Sequence, residues 1–485
     1  MKETDHLPPA LEDVLAGVRQ LAHNSADLTI GRVTVGDIPC ALLTCEGMVS
    51  QTAAAELLIA PLTAMPSCPD AAALFTSIRT RHMMALDRPT AYTYADLFGL
   101  VHAGFAVLCA EGAGEALGFG LQGYERRGVT EPMGEASLLG GHEGLTESVR
   151  TNMAMLRRRM KTPRLTYELR RMGTLSRTDV CLCWLTDRAD PALVRRVREQ
   201  IAAAQPETVL TPGYVMPFLE AHGGGLFDTV GYTERPDVLA ARLLEGRVAV
   251  LIDGMPQALT VPRLFVESFQ SIDDHSFKPW YATFLRWMKY AAFLIALLLP
   301  ALYVAVSMHH PELLERTLLL LLTAAEADEP LSLPLEGLGV LVMYEIVREA
   351  GLRLPKVVGG AVSIVAGIII GDAAVASGLV STPMLTMTAI AVTAGFIVPD
   401  LAPAIAVLRI AFLLAGGLWG LTGIALLGLA VLFRLCATEG MGYPLTAPVT
   451  PFHLRGMRDV ATRVGFLRMQ HGGFNVREYR EGGAR

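Results

Sequence analysis

Charged side chains are scarce in this sequence. Asp, Glu, Lys and Arg make up 18% of the 485 residues, apolar residues make up 52%, and the mean hydropathy is +0.40. This composition is unusual for a wholly soluble protein, so we expect membrane segments. The net charge of −6 and the pI near 6.0 argue against nucleic acid as the main partner.

Cysteine is scarce as well. The chain has seven cysteines, an odd number, and none of them has the spacing of zinc ligands. Cys181 and Cys183 alternate with apolar residues, as expected for one face of a buried strand. We therefore expect free thiols in a reducing compartment rather than disulfides or a metal site.

The common sequence motifs of enzymes are absent. The chain contains no P-loop, H-E-x-x-H or G-x-S-x-G. The stretch GFGLQG (118–123) fits the dinucleotide pattern, but glycines and a proline follow where a helix should begin, so we interpret it as part of a hairpin. We interpret His309 and His310 as a hydrated pair at a membrane edge rather than as a metal site. The sequence therefore predicts no catalytic, cofactor-binding or metal-binding residue.

A signal peptide is another missing feature. The stretch MKETDHLPPALEDVLAG (1–17) has acids and prolines where a signal peptide needs a basic start and an apolar core. The first apolar run long enough to cross a bilayer begins near Tyr290. We therefore expect the residues before it to stay on the cytoplasmic side of the membrane.

The half of the chain before Tyr290 contains an internal repeat. CALLTCEGM (40–48) resembles VCLCWLTDR (180–188), and AVLCAEGAGEAL (106–117) resembles AVLIDGMPQAL (249–259), both at an offset of roughly 140 residues. A short apolar strand, an acid-Gly turn and a second strand are typical of a hairpin. Helix-like runs that begin near Asp or Pro lie between the strands. The sequence thus predicts two similar α/β subdomains.

The predicted domain organisation has six parts. These are an N-terminal tail (1–27), a first α/β subdomain (28–134), a basic connecting helix (135–166), a second α/β subdomain with a juxtamembrane segment (167–283), an all-α polytopic membrane domain (284–436) and a basic C-terminal tail (437–485).

The membrane domain is expected to cross the bilayer five or six times. The basic residues before 290–307 place the N-terminal side of the first span inside by the positive-inside rule. The last apolar run (401–436) is too long for one simple span. It is either an interfacial piece carrying Arg409 followed by a span, or a tight hairpin. The basic tail favours a cytoplasmic C-terminus and an even number of crossings.

Small and charged residues inside the predicted spans are the candidate functional residues. Small residues recur every fourth position at Gly359, Ser363, Gly367 and Gly371. This stripe predicts close helix packing, either within one chain or around an axis shared by several copies. The charges in or near the spans are Glu345, Arg348, Glu349, Asp372 and Arg409. Charges in membrane spans are costly and often functional, but Arg348 and Glu349 also fit simple snorkelling, and Asp372 fits either snorkelling or a pore lining.

Several long segments are similar to one known family. They include EIVREAGLRLPKVVGGAVSIVAGIIIGDAAVASGLVSTPML (345–385), GYTERPDVLAARLLEGRVAVLIDGMPQALTVP (231–262), ESVRTNMAMLRRRM (147–160) and GYPLTAPVTPFHLRGMRD (442–459). Together they resemble the A subunits of spore germinant receptors, the GerA family, from Thr146 to about Asp459. The chain departs from the family pattern at Leu341, where a glutamate is usual, and at Gly360 and Asp372, where glutamines are usual.

The resemblance implies a non-enzymatic function in germination. Such A subunits lie in the inner membrane of dormant spores with a transporter-like B subunit, thought to bind the nutrient, and a lipoprotein C subunit. The resemblance implies that the A subunit forms homo-oligomers that act as a nutrient-gated ion channel. An alternative is a non-conducting scaffold or relay subunit of the same receptor. A secondary transporter would show a repeat within the membrane half, and we find one only in the soluble half.

Overall fold

The computed structural model describes residues 2–80, 85, 87–123, 132, 135, 139–220, 225–327, 329–353, 367, 369–454, 456–465 and 475–481. Its N-terminal half contains two five-stranded antiparallel sheets flanked by helices. Its C-terminal half is helical. The prediction of two similar α/β subdomains followed by a helical region is confirmed at this level.

The first subdomain is built on a sheet with strand order β1-β2-β4-β5-β3. Its strands are β1 (Leu28–Val35), β2 (Ile38–Cys45), β3 (Thr90–Ala91), β4 (Phe105–Ala110) and β5 (Ala116–Gly120). Its helices are α1 (Leu11–Leu21), α2 (51–63, with a π-helical centre Ala54–Ile59), α3 (Ala71–Thr80) and α4 (Tyr94–Val101). Gly118 and Gly120 of the GFGLQG stretch lie in β5, paired with β4.

The second subdomain repeats this order as β6-β7-β9-β10-β8. Its strands are β6 (Leu165–Met172), β7 (Thr178–Leu185), β8 (Gly231–Thr233), β9 (Val248–Ile252) and β10 (Ala258–Val261). Its helices are α5 (Val149–Arg159), α6 (Pro191–Ala203), α7 (Met216–Leu219) and α8 (Pro236–Leu244). Identical strand order in the two sheets is the structural counterpart of the repeat in the sequence.

Each sheet has a core on both faces because alternate strand residues point to opposite sides. In β7, Val180 and Leu182 face one core cluster, and Cys181 and Cys183 face the other. Burial raises the pKa of the Cys183 thiol to about 12. All seven cysteines are free.

The repeat extends to the helix that precedes each sheet. The carboxylate of Glu111, after β4, accepts a hydrogen bond of 2.9 Å from the first N–H of α1 at Leu11. Asp253, after β9, accepts the equivalent bond of 3.0 Å from Val149 at the start of α5. An acid at a helix N-terminus satisfies a free N–H group and interacts favourably with the helix dipole. α1 lies in the segment predicted as a tail and α5 in the predicted connecting helix, so each subdomain begins with such a helix.

A buried ion pair joins the two subdomains. Asp27, just before β1, contacts Arg157 of α5 at 2.7 Å, and both side chains are at most 3% exposed. Arg157 also donates to the carbonyl of Leu165 at the start of β6. Burial, reinforced by the nearby Arg157 charge, lowers the pKa of His102 to about 3. Imidazole is therefore neutral at this position at physiological pH.

The C-terminal half forms a helical bundle. Its helices are α9 (Pro279–His309), α10 (Arg316–Glu326), α11 (Leu333–Arg353), α12 (369–376), α13 (Thr382–Gly395) and α14 (Ala402–Ala437). Beyond it lie β11 (Glu439–Gly440), β12 (Tyr443–Pro444) and α15 (Arg477–Glu481). Among the described helices, Pro279–His309 and Pro399–Ala437 are long and apolar enough to cross a membrane.

α14 is a helical hairpin that turns at Gly420. Gly420 has φ 60° and ψ −145°, which breaks the helix into the arms 402–419 and 421–437. The arms pack against each other, because a Cβ placed on Gly416 would lie 3.3 Å from Ile424 of the other arm. Of the two alternatives for this apolar run, the structure has the tight hairpin.

The bundle has two ends, which we call near and far. The near end faces the second subdomain, where α9 begins and Asp400 precedes α14. At the far end, the Gly420 turn lies against His309, and Glu336 of α11 accepts hydrogen bonds from the N–H and hydroxyl of Ser381 at 2.7 and 2.6 Å. Ser381 is the N-cap of α13, so the buried glutamate fixes two helix ends together.

Candidate functional site: the junction of the second subdomain and the helical bundle

A buried ionic cluster holds the start of α9. The Arg286 guanidinium lies 3.0 Å from a carboxylate oxygen of Asp274 and 3.0 Å from one of Asp459. Asp274 also accepts a hydrogen bond from the Ser271 hydroxyl at 2.9 Å and lies 3.7 Å from the Lys289 ammonium. The cluster thus ties together the linker before α9, α9 itself and the C-terminal segment.

A second group of ion pairs links the sheet of the second subdomain to the connection between α13 and α14, also at the near end of the bundle. Arg263 follows β10 and contacts Asp400, between α13 and α14, at 3.1 Å. The same guanidinium lies 3.5 Å from Asp228 and donates to the Ser268 hydroxyl at 3.2 Å. The second subdomain therefore contacts the bundle at two places, α9 and the α13–α14 connection.

The C-terminal segment formed by residues 438–454 and 456–460, which we call the strap, is part of the second subdomain. The buried Tyr443 hydroxyl donates to Asp190, the N-cap of α6, at 2.9 Å. The main-chain N–H of Phe265 donates to the carbonyl of Leu445 at 2.8 Å. Met441 and Tyr443 lie in the same apolar cluster as the strands of the second sheet. The strap therefore connects the last arm of the bundle back to the subdomain from which α9 departs.

Charge pairing continues beneath the strap. Glu267 is buried between Arg242, 3.3 Å away, and Arg247. Burial alone would raise the pKa of Glu267, but these two arginines outweigh it and hold the pKa below its ordinary value. Gln270 donates to the main-chain carbonyl of Asp459 at 2.8 Å. The junction is therefore a continuous network of paired charges rather than an isolated ion pair.

Arg409 lies in the middle of the bundle and compensates for a proline. Pro300 in α9 has no N–H, so the carbonyl of Ala296 one turn earlier lacks its helical partner. The Arg409 Nε donates to that carbonyl at 2.7 Å, and its Nη2 lies 3.5 Å from the carbonyl of Ala391. Arg409 thus links α9, α13 and α14. Its Nη1 has no hydrogen-bond partner among the described residues.

The charges on α11 are paired along the helix. Glu345 contacts Arg348 at 2.7 Å, and Glu349 contacts Arg353 at 2.6 Å. Glu345 and Arg348 also interact electrostatically with Arg409. Three of the predicted charged residues therefore lie near one another, whereas Glu349 belongs to a separate, exposed pair.

The small-residue stripe is only partly described by the structure. Gly359 and Ser363 lie outside the described residues. A Cβ added to Gly367 would meet no described atom within 4 Å, and one added to Gly371 would meet only Leu385, at 3.8 Å. Asp372 is exposed. Among the described residues, neither Gly367 nor Gly371 lies in close contact with another helix of the same chain, and packing of the stripe between copies stays a prediction.

The sequence matches one protein family over almost its whole length. The match to the family described as Bacillus/Clostridium GerA spore germination protein covers residues 16–472. The chain belongs to the GerA family.

The chain is also similar to individual proteins. The chain is 34% identical over 464 residues to spore germination protein KA of Bacillus subtilis (strain 168), a match that covers 94% of this chain and 85% of that protein. It is 35% identical over 370 residues to the uncharacterized membrane protein YfkQ of the same organism, covering 76% and 72%. The crystal structure of the N-terminal domain of the A subunit of the Bacillus megaterium spore germinant receptor GerK3 aligns with a TM-score of 0.43 at 28% identity, over 54% of this chain and 99% of that one.

One departure from the GerA family pattern has a clear structural setting. Leu341, at the position where the resemblance predicts a glutamate, is 1% exposed. It belongs to an apolar cluster with Met384 of α13 and Leu413 of α14. At this position the chain therefore has a buried apolar side chain where α11, α13 and α14 meet.

The sequence of this GerA family protein does not predict the residues of the junction. Arg286 and Lys289 are among the basic residues before 290–307, which predict only the inner side of the membrane. The sequence predicts no role for Asp274 or Asp459. A signal was present, because an arginine between Leu285 and Trp287 in an apolar helix needs a partner. The partners were not visible, because Asp459 is far from Arg286 in the sequence.

Proposed function

We propose that this GerA family chain is the A subunit of a nutrient germinant receptor in the inner membrane of the spore. Both α/β subdomains then lie in the cytoplasm, and the partners are the bilayer, a transporter-like B subunit, a lipoprotein C subunit and further copies of the chain. In this proposal the chain has no catalytic role, no cofactor and no nucleic-acid partner. Family membership supports the receptor role, and the paired charges of the junction support a role in transmitting a signal.

We infer that the bundle crosses the bilayer six times. α9 runs from the near end to the far end, α11 returns, and the chain must reach the far end again before Ser381. α13 runs back to the near end, and the two arms of α14 make the last two crossings. The strap then starts at the near end, where it packs against the second subdomain. An even number of crossings therefore places both flanks of the bundle on one side, as the basic residues on those flanks favour.

The observation that carries the proposal is the cluster around Arg286. α9 is a membrane-length helix whose first turns are held by the linker at Asp274 and by the strap at Asp459. Any rotation of the second subdomain must therefore move the near end of α9 or break buried ion pairs. Such a two-sided attachment suits a subunit in which cytoplasmic and membrane parts change state together.

Ion conduction separates the leading proposal from its alternative. The purified chain, with its partners, is reconstituted into liposomes loaded with an ion-sensitive dye. The channel proposal expects flux that depends on nutrient and on assembled oligomers. A tight bilayer despite oligomers demonstrated by cross-linking would eliminate conduction and leave the scaffold or relay function, for which the same junction would suffice.

Oligomer formation through the stripe has its own test. A Cβ at position 367 would meet no described atom of the same chain within 4 Å, so Gly367→Leu is suited to probing contacts between copies. Gly339→Leu is the matched control, because Gly339 of α11 is equally unobstructed. We expect Gly367→Leu to lower the oligomer mass in detergent and Gly339→Leu to leave it unchanged. Normal assembly of both variants would show that the stripe is not an interface at Gly367.

A further inference from the structure

Exposed aromatic side chains of the bundle are confined to its two ends. Seven aromatic residues within the described part of 279–437 are exposed, by 37% to 70%. One of them, Trp419, lies at the far end. The other six lie at the near end: Trp280, Tyr281, Phe284, Trp287, Phe396 and Phe433. Between the ends, the exposed large apolar side chains of the described residues are aliphatic, such as Leu294, Ile390 and Leu426.

The orientation of the near-end aromatic residues on α9 is fixed by the junction. Trp280, Phe284 and Trp287 recur at helical spacing and so lie on one face. Arg286 and Ala282 lie on a different face and are fully buried, Arg286 through its ion pair with Asp274. The aromatic face is therefore directed away from the second subdomain and cannot be covered by it without breaking the cluster.

The length of α9 places these rings close to a bilayer surface. Its 31 residues span about 46 Å at 1.5 Å per residue. The hydrocarbon core is only about 30 Å thick, and each headgroup layer adds roughly 5–7 Å. With Trp287 at the hydrocarbon edge, Phe284 lies about 4–5 Å further out, and tilt brings Trp280 closer to the layer.

We propose that the near-end belt, Trp280, Tyr281, Phe284, Trp287, Phe396 and Phe433, binds the phospholipid headgroup layer on the side of the α/β subdomains. This inference rests on the proposed crossing of the membrane by the bundle. Trp and Tyr favour this layer because their rings are apolar and their N–H or O–H groups can bond to water and phosphate. Lys278, exposed beside Trp280, adds a cation suited to lipid phosphate.

The distribution of the belt favours lipid over a second copy of the chain. The belt includes α9, the turn after α13 and the second arm of α14, so it occupies several sides of the bundle at one depth. A contact between copies would cover one side at all depths, with no reason for aromatic residues at the ends and aliphatic residues between them. The belt thereby fixes how deep the bundle sits, and with it the height of the junction above the membrane.

Tryptophan fluorescence in lipid nanodiscs tests the proposal. The chain has four tryptophans, and Trp184→Phe with Trp419→Phe leaves only the belt pair Trp280 and Trp287. Quenching is compared for a lipid with a nitroxide on its headgroup, a lipid brominated near the end of its acyl chains, and acrylamide in water. A tryptophan-free chain carrying Leu294→Trp is the reporter for the middle of α9.

We expect the belt pair to lose more fluorescence to the headgroup nitroxide than to the deep bromines, and the Leu294→Trp reporter to show the opposite order. Quenching of the belt pair by acrylamide alone would place it in water, and no quenching by any agent would place it under protein, such as a second copy. Either result overturns the belt. If the Leu294→Trp reporter is also untouched by lipid quenchers, it is the membrane-spanning proposal itself that fails.

Discussion

The substitution Arg286→Met probes the junction directly. Methionine keeps much of the side-chain volume but removes the guanidinium, so Asp274 loses its partner at 3.0 Å while both side chains are about 1% exposed. Ser271 and Lys289 remain near the carboxylate, the latter at 3.7 Å. Removing one partner of a buried ion pair costs about 3–5 kcal/mol. Because each 1.4 kcal/mol is about tenfold in an equilibrium constant, opening of the junction should become more than about 100-fold more frequent.

Hydrogen–deuterium exchange of the full chain in nanodiscs measures this opening locally. We expect faster exchange in 268–278 and in the strap, with little change in the first subdomain. Arg353→Met is the matched control, since it removes an ion pair whose side chains are 78% and 54% exposed and whose loss should cost less than about 1 kcal/mol. Wild-type exchange in the strap of Arg286→Met would refute the role of the cluster.

A double variant separates the charge from the packing. In Arg286→Met with Asp274→Leu, the Arg286–Asp274 pair is replaced by apolar side chains, which is often neutral or stabilising. Asp459, which is 18% exposed, still loses its contact with Arg286. Exchange in the strap should therefore be slower than in Arg286→Met but remain faster than in the wild-type protein. If the double variant opens as readily as the single one, the unpaired Asp274 charge is not the cause of the opening.

Three further outcomes are expected. Gly416→Ala should lower the thermal midpoint, at a cost of about 1–3 kcal/mol, because its Cβ would lie 2.8 Å from a carbonyl of α9, whereas Gly428→Ala, with its nearest atom at 3.9 Å, should not. Lowering the pH from 7.5 to 5.0 should destabilise the first subdomain by about 2 kcal/mol. The pKa of His102 is about 3 in the folded state and 6.5 in the unfolded state, so the unfolded state binds more protons over this pH range. His102→Gln should remove this part of the pH dependence of the melting temperature. Tyr443→Phe should speed hydrogen–deuterium exchange in the strap by an amount equivalent to about 1–2 kcal/mol, because it leaves the buried Asp190 without the phenol donor. An unchanged exchange rate would mean that the apolar contacts alone hold the strap.

Local patterns predicted the repeated strands well. Cys181 and Cys183 on one face of a strand follow from alternation along a few residues, and the hairpins follow from acid-Gly turns. The sequence does not place α1 and α5 in the repeat, because their contribution depends on Glu111 and Asp253, about 100 residues away. Nothing within either helix indicates that contact.

The role of Arg409 shows a different limit. The sequence identifies an arginine in an apolar run, and membrane physics makes it suspect. That it bonds to the carbonyl released by Pro300, in a helix more than 100 residues earlier, depends on the packing of α14 against α9. The hairpin at Gly420 was one of two alternatives because a glycine-rich stretch permits both a turn and a continuous helix.

The strap has a consequence for biosynthesis. Tyr443 completes a core begun by β7, and its bond to Asp190 spans 253 residues of chain. The second subdomain leaves the ribosome long before the strap is made. Its apolar cluster therefore stays incomplete while the entire bundle is translated and inserted. A nascent chain that stalls within the bundle exposes this incomplete apolar cluster, which quality-control proteases and chaperones can recognise. The second subdomain is thus complete only after every helix before the strap has been synthesised.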